Sequence, residues 1–174
     1  MEMTKIFSRI ASIALAFALM PTAASAQQMD HLSNEGHQMH AMDASADDVA
    51  GAEEALKAYR TALEARDADA MFALFAESSA IFENGKVEGS FGNYMEHHLG
   101  PELHAIKSFT FSNPTLTVTR MGHMAYGYET YGYRIELEDG RVFERDGVAT
   151  SVLSHDASGW RIVQYHSSSR APRN

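Results

Sequence analysis

The chain has 174 residues, 45% of them hydrophobic and 21% charged, with ten methionines, nine histidines and no cysteine. That length holds one ordinary domain, and a chain without cysteine has no disulfide framework, thiolate metal centre or cysteine nucleophile. Fourteen Lys and Arg against 23 Asp and Glu give a net charge of −9, the opposite of the cationic footprint needed to hold nucleic acid or an anionic membrane surface.

The first 26 residues have the grammar of a secretory signal peptide. Lys5 and Arg9 form a positive start, residues 10–20 (IASIALAFALM) an apolar run, Pro21 a break, and Ala24-Ser25-Ala26 a small-residue cleavage site. A membrane-spanning helix needs about 20 apolar residues, more than this run supplies. The expectation is export, cleavage after Ala26 and no membrane insertion afterwards, with the periplasm as destination in a two-membrane host. Loss of Glu2, Lys5 and Arg9 would leave the mature chain, from Gln27, at −10.

Residues 27–45 are poor in core-forming side chains and predict a flexible leader. His31, His37, Met39, His40 and Met42 offer imidazole and thioether donors, which suit copper or, for imidazole, zinc. No spacing among them fixes a geometry, so they read equally well as a solvated linker.

From Ala46 the pattern turns helical. Val49, Ala52, Leu56, Tyr59 and Leu63 recur at spacings of three and four, a single apolar stripe about five turns long. Asp67 can cap a short second helix carrying Met71, Leu74 and Phe75. Residues 80–83 read as a strand turned by Asn84-Gly85. Ser90 can cap a third helix with Phe91, Met95, His98 and Leu99 on one face, which Gly100-Pro101 should end. Strands then fill the chain: one from 106 to 119 with a bulge at Pro114, then 124–137, 141–154 and 160–168, joined by tight turns and so antiparallel. Helices first and a long meander after define an α+β class, a curved antiparallel sheet over three N-terminal helices.

That order resembles the nuclear-transport-factor-2-like superfamily and its SnoaL-like branch. The pieces that carry the resemblance are the amphipathic first helix, the short helix after Asp67, Phe82-Glu83-Asn84-Gly85, the helix of residues 89–99, and the closing Gly159-Trp160-Arg161-Ile162-Val163 followed by His166-Ser167-Ser168. The resemblance implies a domain over residues 46–169, with 170–174 as a tail. It also implies a cone with a pocket between sheet and helices, and dimers packed sheet to sheet. It implies no one activity, because this fold hosts isomerases, cyclases, dehydratases, hydrolases and binding proteins.

Strand alternation places Trp160, Ile162, Gln164, His166 and Ser168 on one face. If Trp160 and Ile162 face the core, Gln164 and His166 join them, and His98 on the third helix points at the same cavity. The expected ligand pocket is therefore Glu83, His98, Glu102, Gln164 and His166, the resemblance placing Glu83 near its mouth. His98 and His166 could also bind a metal with Glu102, Glu83 or His104. His97, next to His98, diverges by about 100° and should be solvated. Tyr126, Tyr128, Tyr131 and Tyr133 fall on both faces of their strand and are read as sheet packing and dimer surface rather than a stacking platform. Glu144 and Asp146 would join the acid–base groups if they faced the cavity. Three functions follow, in order: an exported protein binding a small ligand in its cone, a periplasmic copper- or zinc-binding protein, and a small-molecule isomerase, cyclase or hydrolase.

Overall fold

The structure is a computed structural model and describes residues 46–173; residues 1–26, read above as a signal peptide, and residues 27–45, read as a leader, lie outside the described residues. Helix α1 (Ala46–Ala65) presents the expected stripe, with Ala52, Leu56, Tyr59 and Leu63 all buried. Asp67 caps α2 (Ala68–Phe72), its carboxylate accepting from the Ala70 amide at 3.0 Å, as Asp at this position should. Phe75 belongs not to α2 but to the first strand, β1 (Phe75–Glu83), which is longer than its sequence pattern suggests. The Asn84-Gly85 turn has positive φ at both residues, 47° and 84°, the mirror-image hairpin geometry these residues favour. It leads into β2 (Lys86–Gly89).

Ser90 caps α3 (Phe91–Tyr94) by accepting from the Asn93 amide at 3.2 Å, and the buried Ser79 hydroxyl of β1 accepts from the Phe91 amide at 3.0 Å. The helix does not stop at Gly100-Pro101. Residues Met95–Leu99 form a π-helical turn, and α4 (Gly100–Leu103) continues from it. The Gly100 amide bonds to the Met95 carbonyl five residues back. A Cβ on Gly100 would lie 2.3 Å from that oxygen, so only glycine allows the approach. Proline then falls in the first turn of the next segment, where no amide hydrogen is required of it. The two residues that ordinarily close a helix here widen it by one residue and let it go on.

Four long strands follow: β3 (Ile106–Met121), β4 (Met124–Leu137), β5 (Val142–Asp156) and β6 (Gly159–Arg170). The sheet order is β2-β1-β6-β5-β4-β3, antiparallel throughout except that β1 runs parallel to β6. Asn113-Pro114 makes the expected bulge in β3, with Asn113 at φ 49° and an extra residue between the Ser112–Gly132 and Thr115–Thr130 pairs. The helices pack on one face of this curved sheet. Leu56, Met71, Phe91, Ile81, Leu153 and Ile162 are fully buried there. The Phe75 and Phe91 rings stack at 3.9 Å, and Tyr59 packs edge-on to Phe75 and Tyr165. Among the described residues no helix is long and apolar enough to cross a membrane.

Candidate functional site

The site is built where α3, the π-helical turn and α4 pass over the ends of β1 and β2. His98 sits among three carboxylates. Its Nε2 lies 3.4 Å from Glu102 and 3.7 Å from Glu83, and its Nδ1 lies 3.1 Å from Glu88. Neither Nδ1 nor the facing Glu88 oxygen is aligned for a hydrogen bond, so the contact between them is one of charge. The π-helical turn is what makes this cluster. By letting the helix continue through Pro101, it sets Glu102 four residues after His98 on the same side. Such turns are found mostly at functional sites.

The charges shift one another in consistent directions. Hydrogen bonding to Glu102 raises the His98 pKa to about 9; burial opposes this, and the charges of Glu102 and Glu83 reinforce it. His98 is therefore an imidazolium at neutral pH. Burial raises the Glu83 carboxyl above its ordinary value, against the lowering effect of the Tyr94 hydroxyl, which donates to Oε2 at 2.8 Å, and of His98. Burial also pushes Glu88 up, but the Lys86 ammonium and the His98 imidazolium beside it outweigh that and the net shift is downward. Tyr94 is held well above its usual value by burial and by Glu83, and so remains a donor. The site thus holds a perturbed carboxyl, a tyrosine donor and an imidazolium within a few ångströms.

Opposite this cluster, the helix-facing side of the sheet carries an aromatic wall. Phe109 and Phe111 stack at 4.9 Å, Phe111 meets Tyr131 edge-on at 5.0 Å, and Tyr133 packs against Phe109 at 5.6 Å. Phe109, Phe111 and Tyr133 are only partly buried. Tyr133 donates to the Ser169 hydroxyl at 3.0 Å, and both Glu83 and Glu102 raise its pKa, burial being the larger cause. The four strand tyrosines divide cleanly: Tyr126 and Tyr128 are exposed on the outer face, while Tyr131 and Tyr133 face the helices.

Two expected pocket residues are elsewhere. Between Ile162, opposite Leu153, and Gln164, opposite Val152, strand β6 carries one extra residue, Val163. A bulge of one residue exchanges the two faces of everything beyond it. Tyr165 therefore turns inward and is 7% exposed, whereas Gln164 and His166 fall on the outer face, with His166 exposed beside Phe82. His98 and His166 do not converge, and they do not share a metal. Among the described residues no group of three or more His, Asp or Glu has the geometry to hold a metal ion. His31, His37, Met39, His40 and Met42 lie outside the described residues. His97 is exposed beside Glu96, and exposed His104 bonds the Gly100 carbonyl at 2.7 Å. Glu144 is exposed, and Asp146 pairs with Arg170 on the outer side.

The sequence pattern also hid residues that matter. Glu129 on β4 is 2% exposed and forms an ion pair with Arg60 of α1. Burial raises its pKa against the pull of Arg60. Tyr59, Tyr131 and Tyr165 surround this floor of the cone, and the Tyr131 phenol is pushed up to about 12, chiefly by burial. The available signal was phase: Ala125, Gly127, Glu129 and Tyr131 alternate with the exposed Tyr126, Tyr128 and Thr130. Gly127 lies where a Cβ would come within 2.8 Å of Leu56, marking the close approach of α1. A cleft of about 530 Å³ crosses β3–β6, bordered by Tyr131 and Ser169 next to the aromatic wall and running out to Ser112, Asp146, Val148 and Arg170.

With this geometry in view, the comparisons with known proteins are concordant. Residues 52–172 match the SnoaL-like domain family, and the chain belongs to it. A candidate ketosteroid isomerase from Shewanella frigidimarina is similar at 26% identity and a TM-score of 0.59, over 67% of this chain and 94% of that one. A candidate dehydratase of the nuclear-transport-factor-2-like family from Streptomyces avermitilis is similar at 19% identity and 0.63, over 72% and 99%. A ketosteroid isomerase-like protein from Erwinia carotovora is similar at 18% and 0.64, over 73% and 99%. No curated protein matches the chain.

Proposed function

We propose that this chain is an exported SnoaL-like protein that binds a small, largely apolar organic molecule at the mouth of its cone. The observation that carries the reading is the Glu83–Tyr94 hydrogen bond beside His98, facing the partly open Phe109–Phe111–Tyr133 wall. The wall offers area for a flat or alicyclic body, and the polar cluster fixes orientation, the usual division of labour in a ligand site. Export rests on the signal grammar of residues 1–26. A dimer is proposed through the outer face of the sheet, where the rows around Tyr126, Tyr128 and Val148 carry no charged residue.

One observation favours an acid–base enzyme as a second reading. A carboxyl raised by burial and set beside a tyrosine donor has the parts for moving a proton next to a carbonyl. The similarity to a candidate ketosteroid isomerase is consistent with it. One titration tests both readings. NMR shifts on adding a β,γ-unsaturated cyclic ketone should cluster at Tyr94, Phe109, Phe111 and Tyr133, and shifts confined to Ser112, Asp146, Val148 and Arg170 at the far end of the 530 Å³ cleft would sink the binding reading. In D2O, deuterium entering the α-carbon in the wild type but not in Glu83→Gln supports the enzyme. No exchange by the wild type leaves a binding protein.

A further inference from the structure

The sheet strands carry one basic side chain that the fold leaves unused. Lys107 and Arg134 pair with Glu136, Lys86 with Glu88 and Arg170 with Asp146, while Arg120 and Arg161 reach backbone carbonyls. Arg145 on β5 makes neither a hydrogen bond nor an ion pair among the described residues, although it is half-buried. Its guanidinium nitrogens are not among the buried atoms left without a partner, so they stay open to water and available to an acceptor brought by a ligand.

Its position says what such a ligand touches. Arg145 is directly opposite Tyr133 in the β4–β5 register, so the two side chains stand on the same face about 5 Å apart at the Cβ atoms. That face is the helix-facing one: Gly147 and Ala149, two and four residues on, are buried, and Phe143, two residues back, packs against the core. The charge of Arg145 lowers the Tyr133 pKa, a smaller effect than the burial that raises it. The neighbouring acids face away, Glu144 toward Arg134 and Asp146 toward Arg170. The carboxylates of the mouth are committed to His98.

We propose that Arg145 is the anion anchor of the cone and that the ligand is a small aromatic or alicyclic carboxylic acid. Its ring lies on Phe109, Phe111 and Tyr133, and its carboxylate takes the Arg145 fork. This assignment rests on the mouth being the ligand site, and it names the chemical class that site accepts. It also explains how a chain of net charge −9 would hold an anion: the protein's overall field repels it, so capture requires a dedicated cation that no carboxylate of the fold has already paired. Arginine suits the task because its planar fork matches a carboxylate in a bidentate way.

The probes are benzoate and its neutral isostere benzamide, titrated into the full chain by NMR. Benzoate should bind about tenfold or more tightly than benzamide, the size expected for a charge-assisted hydrogen-bonded pair, with shifts at Phe109, Phe111 and Tyr133. In Arg145→Gln the preference should vanish, benzoate falling to the level of benzamide, while Arg145→Lys should keep part of it. Because Arg145 pairs with nothing, both variants should fold as the parent does, and their amide spectra verify this. Equal binding of the two probes at the wall overturns the anchor and leaves the ligand site standing. A benzoate preference that survives Arg145→Gln also overturns it. Absence of both probes from the wall overturns the anchor and the mouth site together.

Discussion

At the scale of the single residue, His98 carries the clearest consequence. Its folded pKa of about 9 exceeds the ordinary imidazole value of 6.5. A histidine raised in the folded state contributes stability that is complete below the unfolded pKa and lost as pH rises through the folded one. Stability should therefore decline between about pH 6.5 and 9, by a modest amount because the side chain is 23% exposed. Thermal unfolding followed across that range should show the decline in the wild type and not in His98→Gln. The imidazole resonances of Glu102→Gln should titrate well below pH 9, since Glu102 is the largest cause of the shift. A titration unmoved by this substitution would mean that the two side chains do not meet in solution.

At the scale of the element, the π-helical turn and the bulge in β6 divide what the sequence reveals from what it hides. Elements whose signal is periodicity were legible: the α1 stripe, the caps at Asp67 and Ser90, the Asn84-Gly85 turn and the bulge at Pro114 all appear where the pattern puts them. The site was half legible. Glu83, His98 and Glu102 come together, whereas Gln164 and His166 do not. Alternation assumes an unbroken strand, and no residue type announces a bulge at Val163. Gly100-Pro101 carries the opposite lesson, because the chemistry that ends a helix also fits a widened turn. Gly100→Ala tests that turn. A methyl group 2.3 Å from the Met95 carbonyl should force the turn apart and cost about 1–3 kcal/mol, as overpacking does. It should also pull Glu102 from His98 and lower the histidine's pKa. An unchanged melting temperature and titration would refute this role for glycine.

At the scale of the whole molecule, the outer sheet face is the surface on which the proposed dimer is tested. The row Phe82–His166–Thr150–Tyr128–Thr117 runs straight across five strands, flanked by a row through Gln164, Val152 and Tyr126. Tyr128 is 53% exposed and Val148 51%. On a chain with 21% charged residues, these rows of threonine, tyrosine and valine carry no Asp, Glu, Lys or Arg, which is the ground for proposing a partner copy here. Native mass spectrometry of protein from its own host should find a dimer of chains that each begin at Gln27, and Tyr128→Lys should release monomers. A monomeric wild type, or a chain that retains Met1, would refute the dimer or the export respectively.

The extra residue at Val163 has a consequence for how such a protein can change. His166 and Tyr165 are neighbours in the chain yet serve two separate surfaces, one on the outer face of the sheet and one toward the cone. Deleting Val163 would exchange them, and with them Ser167 and Ser168, without altering a single side chain. Insertions and deletions at this point are thus a route by which the inner and outer faces of the sheet trade chemistries in one step. Relatives with the same residues in the same order can then differ in what they hold and in what they join.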